Sequence, residues 1–288
     1  AAAAAGQAGE QNRAAAQAAE QGNAGQAQEQ SRAAAQRLEE ASQEIQQAIA
    51  QAEEELVRQQ LAQWEQWVAG LAARQHNVIA ETARLEGARI SDGDLTEAQQ
   101  ATLASVAAEQ RQIADEAETL RIKMTATASF AFALESARGE MLRAAGLLEQ
   151  RQTGPGVQEA EQAAAARLSH ILAALKPDDA SAPAGDPPPE QPASPPPHQG
   201  GDALNSLAEL KLLQLLQGEI NRRTAELEVV RSQQGELASE QTSELDALAT
   251  EQGRLAEMVL NLIQESAPRP EDNPDLLPDD LLLDGEQK

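Results

Sequence analysis

A stretch of 53 residues occurs twice in this chain, the second copy 142 positions after the first. Val68 to Leu120 aligns without a gap on Leu210 to Leu262, with sixteen identical positions. They include Leu71/Leu213, Gln75/Gln217, Thr82/Thr224, Leu85/Leu227, Gly93/Gly235, Leu95/Leu237, Leu103/Leu245, Glu109/Glu251, Gln110/Gln252 and Leu120/Leu262. Val78/Ile220, Val106/Leu248 and Ile113/Leu255 are conservative pairs. Most shared residues recur at three- and four-residue spacing, which lines one face of a helix, and the shared glycine suits a turn. Each copy therefore predicts a helix, a turn and a returning helix.

Composition limits what such hairpins can build. Of 288 residues 60 are alanine, and the aromatics are Trp64, Trp67, Phe130 and Phe132. A thick core normally draws on many large side chains. Leucine and alanine suffice for thin seams between helices. The expected fold class is all-α, made of antiparallel helical hairpins and coiled-coil bundles.

Along the chain, residues 1–30 are a low-complexity Ala/Gln-rich segment in which Gly6–Gln17 recurs as Gly25–Gln36. No large apolar residue precedes Leu38, so this segment reads as frayed or isolated helix with nothing to pack on. Residues 31–175 form a first helical module. Its long helix carries Leu38, Ile45, Ile49, Ala52 and Leu56, slips by one residue, and continues as Val57, Leu61, Trp64, Val68, Leu71, Gln75, Val78, Thr82 and Leu85. A turn follows at 89–95, with Asp94 as the cap of the next helix. Helices are expected over 96–126, 129–152 and 157–175. The last two are expected to pack beside 36–63, giving a three-stranded base under a two-stranded tip.

Residues 176–202 hold nine of the fourteen prolines and read as an extended linker. Residues 203–264 form a second hairpin module, the repeat of 68–120. Residues 265–288 form an acidic, leucine-rich tail expected to be disordered when alone.

The segments Ala107–Asp115, Met141–Lys176, Leu207–Thr224 and Leu248–Leu255 are similar to uncharacterised, glutamine-rich exported coiled-coil proteins of planctomycete bacteria. The likeness covers about residues 64–264, with the proline-rich gap in the same place. That family has no assigned activity. The resemblance implies export and a place in the periplasm or cell envelope. The chain opens on Ala1 rather than methionine, which reads as a fragment or a processed product whose signal peptide is removed or missing.

Candidate chemistry is sparse. His76, His170 and His198 lie far apart, with no carboxylate or second histidine at ligand spacing, and read as surface or seam residues. Asp92-Gly93-Asp94 matches part of a calcium loop but lacks the distal glutamate, so it reads as a capped turn. Trp64 and Trp67 read as plugs where the two-stranded tip meets the base, or as an exposed docking pair. Gln75/Gln217 and Gln110/Gln252 fall at inward positions, where a polar residue fixes register. The chain has four lysines and no cysteine, phosphate loop or nucleophilic triad. No catalytic, cofactor or metal residue is assigned, and no cofactor is expected.

With 47 acids against 22 bases the net charge is −25, which disfavours nucleic acid and anionic lipid. The expected partners are proteins, basic-surfaced or joined by self-association through helices. No small-molecule substrate is expected, and a membrane only through a partner or an N-terminal segment. The expected function is a non-enzymatic structural or scaffold protein mediating helix–helix assembly in the cell envelope. The alternative is a periplasmic binding or regulatory subunit docking a membrane partner through the acidic tail. An enzyme is the remaining and weakest alternative.

Overall fold

The computed structural model of the protein describes residues 2–125, 127–176 and 200–266. The protein is all-α. Among the described residues there are seven helices, α1 (Ala2–Glu20), α2 (Ala24–Asp92), α3 (Glu97–Lys123), α4 (Ala128–Glu149), α5 (Pro155–Leu175), α6 (Gly200–Gln234) and α7 (Ser239–Ser266). Among the described residues there is no strand. The proline-rich stretch up to residue 199 and the acidic leucine tail lie outside the described residues. The chain divides into two compact units, Ala1–Leu216 and Gln217–Lys288. The boundary therefore falls inside α6, later than the linker at 176–202 suggested.

In the first unit α2 neighbours α3 and α5, and α4 neighbours α3 and α5. This is an up-down-up-down bundle of four helices built around the last third of α2. The buried residues of α2 there are Trp64, Val68, Leu71, Ala72, Gln75, Val78, Thr82, Leu85 and Glu86. The expectation that α4 and α5 pack beside 36–63 is incorrect. Thr82 and Glu86 of α2 meet Glu161 and Thr153, which places α5 alongside 75–86. The reason is length. Turns of a few residues at 124–127 and 150–154 force antiparallel neighbours. With 22 and 21 residues, α4 and α5 retrace the span of α3 and reach no further.

The turns rest on local chemistry. Gly93 takes φ +91 and its N–H donates to Arg89 O at 3.0 Å. The cap of α3 is Thr96, not Asp94: Thr96 Oγ1 accepts from Gln99 N and Gln99 Oε1 accepts from Thr96 N, a complete capping box. Thr127, at the start of α4, turns its hydroxyl back to Met124 O and caps nothing. Glu209 of α6 supplies the missing acceptor, taking hydrogen bonds from Ser129 N at 3.4 Å and Ser129 Oγ at 3.1 Å. A carboxylate at a helix N-terminus also suits the helix dipole. Ala208, Leu212 and Leu216 are buried on the same part of α6.

Residues 1–30 also depart from expectation. Rather than a helix with nothing to pack on, α1 folds back on the start of α2 through a turn at Gly22, φ +76. Ala8, Ala15 and Ala18 of α1 and Ala34 and Ala41 of α2 are buried. Alanine suffices because a methyl group lets two helix backbones approach closely, so dispersion contacts form without a large side chain. The duplicated sequence thus pairs with its own copy.

That seam is thin enough to be broken singly. Ala34→Glu places a charge between α1 and α2 and should release α1. Amide hydrogen exchange across 2–20 should rise towards the rate of an isolated helix, while the melt followed by tryptophan fluorescence stays unchanged. Unchanged exchange over 2–20 would show that α1 does not depend on the alanine seam.

Candidate functional site

Gln75, Thr82, Gln110 and Glu161 form a polar cluster in the bundle interior. Gln75 and Gln110 are inward on α2 and α3 and completely buried, as their spacing predicts. Gln110 Nε2 donates to Gln75 Oε1 at 2.8 Å, and Gln75 Nε2 donates to the Glu161 carbonyl at 3.2 Å. Thr82 Oγ1, two turns above Gln75, donates to Glu161 Oε1 at 2.7 Å. Three helices are thereby tied at one level, and a one-turn slip of any of them breaks a buried hydrogen bond.

Glu161 went unrecognised in the sequence although a signal existed. Val157, Glu161, Ala164, Leu168, Ile171 and Leu175 follow a 4-3-4-3-4 spacing in which one member is acidic. All six are buried. Burial pushes the Glu161 carboxyl up to about 7 from its ordinary 4.5, and the hydrogen bond from Thr82 offsets part of that rise. Glu161 Oε2 and Gln110 Oε1 are buried acceptors with no partner. A neutral carboxylic acid has one O–H to donate, so protonation suits a site rich in acceptors. The carboxyl is sealed from solvent. Through its main-chain carbonyl and its side chain Glu161 joins α5 to Gln75 and Thr82 of α2.

A second polar group closes the bundle's other end. Arg89 Nε and Nη2 both donate to Glu86 at 2.8 Å, and Thr153 Oγ1 donates to Glu86 Oε2 at 2.6 Å. These donors hold the Glu86 carboxyl down at about 2. Arg89 also lines an open cleft of about 330 Å³ with residues 151–157 of the α4–α5 turn.

Trp64 is buried and packs on Phe130, with ring centroids 6.4 Å apart. It plugs the open end of the four-helix bundle. Trp67 does not: it is 37% exposed and lies under Lys123, whose Nζ sits 4.3 Å from the ring centroid. His76 Nδ1 lies 2.7 Å from Ala72 O in its own helix, and His170 is half-buried on α5. His198 lies outside the described residues. Asp92 ends α2, and Asp94 falls in the turn before Thr96. Among the described residues no three histidine or carboxylate side chains gather as metal ligands.

The second unit repeats the hairpin in detail. Gly235 takes φ +83, and its N–H donates to Arg231 O at 2.9 Å. Gln241 Oε1 accepts from Ala238 N at 3.0 Å, as Gln99 does from Thr96. Gln217 and Gln252 exchange two hydrogen bonds of 2.8 Å, at the same 35-residue separation as Gln75 and Gln110. The difference is cover, because this second glutamine pair is not buried. No family model matches the chain, nor does any curated protein or solved structure.

The two buried carboxyls act in opposite directions with pH. Glu161 binds its proton more tightly folded than unfolded, so its ionisation destabilises the fold as pH rises from 4.5 through about 7. Complete ionisation would cost at most about 3 kcal/mol. Glu86 is held low, so its contribution is lost as pH falls from 4.5 towards 2. Stability should therefore peak at roughly pH 4–5. Glu161→Gln should match the parent near pH 5 and exceed it at pH 8 in chemical denaturation. Equal loss at both pH values would show that Glu161 is not protonated in the fold.

Proposed function

We propose that the protein is a non-enzymatic helical scaffold, acting in the cell envelope by laying its uncovered helix faces against helices of other proteins. The observation that carries this reading is the middle of α2. Between the seam with α1 and the bundle, residues 42–63 contain no buried side chain. Ile45, Ile49 and Leu56 remain exposed there, Leu56 by 65%. By helical spacing they continue the face that carries Ala34 and Ala41. At 1.5 Å per residue this run is about 33 Å long, enough for six turns of a partner helix.

An apolar row of that length on a strongly acidic chain favours specific pairing over general adhesion, because the net charge keeps unmatched copies apart. The placement in the envelope rests on the resemblance of residues 64–264 to exported coiled-coil proteins.

A photo-reactive phenylalanine at Ile49 or Leu56, expressed in the native cell, should give discrete protein adducts that fractionate with the envelope. The same group at Gln47, on the opposite side of α2, should give none. Equal labelling at all three positions, or none at Ile49 and Leu56, would remove the scaffold reading.

A further inference from the structure

The repeated hairpin has two different surroundings, and the difference defines a surface. On α3 two adjoining faces are buried. One meets α2 through Gln110 and Arg74's partners Glu109 and Glu116. The other carries Ala107 and Ala114, beside Arg111 and Glu118, whose ion pairs reach Glu149 and Arg138 of α4.

The counterparts of Ala107 and Ala114 on α7 are Ala249 and Ala256, identical in the repeat and exposed. Leu248 and Leu255 are buried in the hairpin, as Val106 and Ile113 are in theirs. The apolar face of α7 thus extends beyond the seam with α6. A two-stranded coil uses a narrow stripe, whereas a bundle helix needs the wider one found here.

The edge of this face is also more apolar than on α3. Where α3 has Arg111 and Glu118, α7 has Gly253 and Leu260. Leu260 is 54% exposed, and Ile263, one turn on, is 62% exposed. Past that edge come Asp246 and Glu257, both exposed. They are eleven residues apart, about 16 Å along the helix. The one basic residue of α7, Arg254, lies one turn before Glu257, on the side of that acid away from the apolar face.

We propose that the face of α7 formed by Ala249, Gly253, Ala256, Leu260 and Ile263 docks one amphipathic helix of a partner protein. That helix takes the place that α4 takes on α3. Its inner face carries alanine and leucine, and its edge carries lysine or arginine at i and i+11 opposite Asp246 and Glu257. The apolar surface is continuous with the α6–α7 seam, and the charge of its edge selects the occupant. A second α7 would set acids against acids. The proposal names a partner surface within the scaffold reading and rests on that reading. Its site is separate from the α2 row, so either can fail alone.

The test uses the full chain with labelled methyl groups and two synthetic helical peptides that share an alanine/leucine face. One has lysine and arginine at its edges and the other has glutamate. The basic peptide should shift the methyl signals of Ala249, Ala256 and Ile263. Ala256→Glu should weaken its binding about tenfold or more, with the melting curve unchanged. The double charge reversal Asp246→Lys with Glu257→Lys should transfer the preference to the acidic peptide.

The proposal is overturned if both peptides bind equally or if neither binds. It is also overturned if the charge reversal leaves the preference as it was. Concentration-dependent dimerisation of the chain alone, shifting the same methyl signals, would assign the face to a second copy and overturn the partner proposed here.

Discussion

Two glutamines facing each other across a seam of small and branched side chains hold this architecture in register. An alanine-rich interface has little shape of its own. Neighbouring registers one turn apart bury similar methyl groups, so packing alone discriminates weakly between them. The Gln75–Gln110 bond removes that degeneracy, because a slip leaves buried amide groups unpaired. Glu161 and Thr82 extend the same constraint to α5. The bundle therefore has a polar level around Gln75 and Gln110 that fixes alignment, and apolar levels that supply most of the burial.

The second constraint is the direction in which α2 presents its apolar face. The row through Ala34, Ala41, Ile45 and Leu56 gives way at Val57 to the row through Trp64, Val68 and Gln75. A slip of one residue turns the face by about 100°. Over its 69 residues α2 thus offers one side to α1 and another to the bundle. The two packing partners cannot compete for one groove, and the stretch between them is left uncovered.

Much of this was legible in the residues. The hairpins, their glycine turns and the inward glutamines follow from three- and four-residue spacing and from the 142-residue repeat. What escaped has identifiable causes. Residues 1–30 lack large apolar side chains, and a methyl-only seam looks in sequence like unpacked helix. The cap at Thr96 competed with Asp94, since both suit that role by type, and only Thr96 has its reciprocal partner Gln99 at the third helical position. The place of α4 and α5 depended on which way the chain turned at Thr127, and propensity carries no direction. Glu161 was hidden by the habit of reading a glutamate as surface, although its row of spacings marks it as interior. Trp64 and Trp67 were read together, and at three residues they stand only about 60° apart; Trp64 shares the buried row of Val68, Leu71 and Gln75, while Trp67 falls at its edge under Lys123.

The contrast between the two hairpins shows how two copies that share sixteen of 53 residues reach different exposure. Both have the turn glycine, the returning cap and the glutamine pair, which are interactions inside the hairpin and travel with the repeat. Cover does not travel with it. Ala72, near Gln75 on α2, is buried, and its counterpart on α6 is the exposed Gln214. That position of α6 is thereby polar where α2 is apolar. On the α7 side the replacements run the other way, with Gly253 and Leu260 in place of Arg111 and Glu118. The hairpin has therefore exchanged one covered face for another that is broader in apolar character and edged by acids. A structure stabilised from within its own turn and seam can leave such a face open, because its register does not depend on what lies against it.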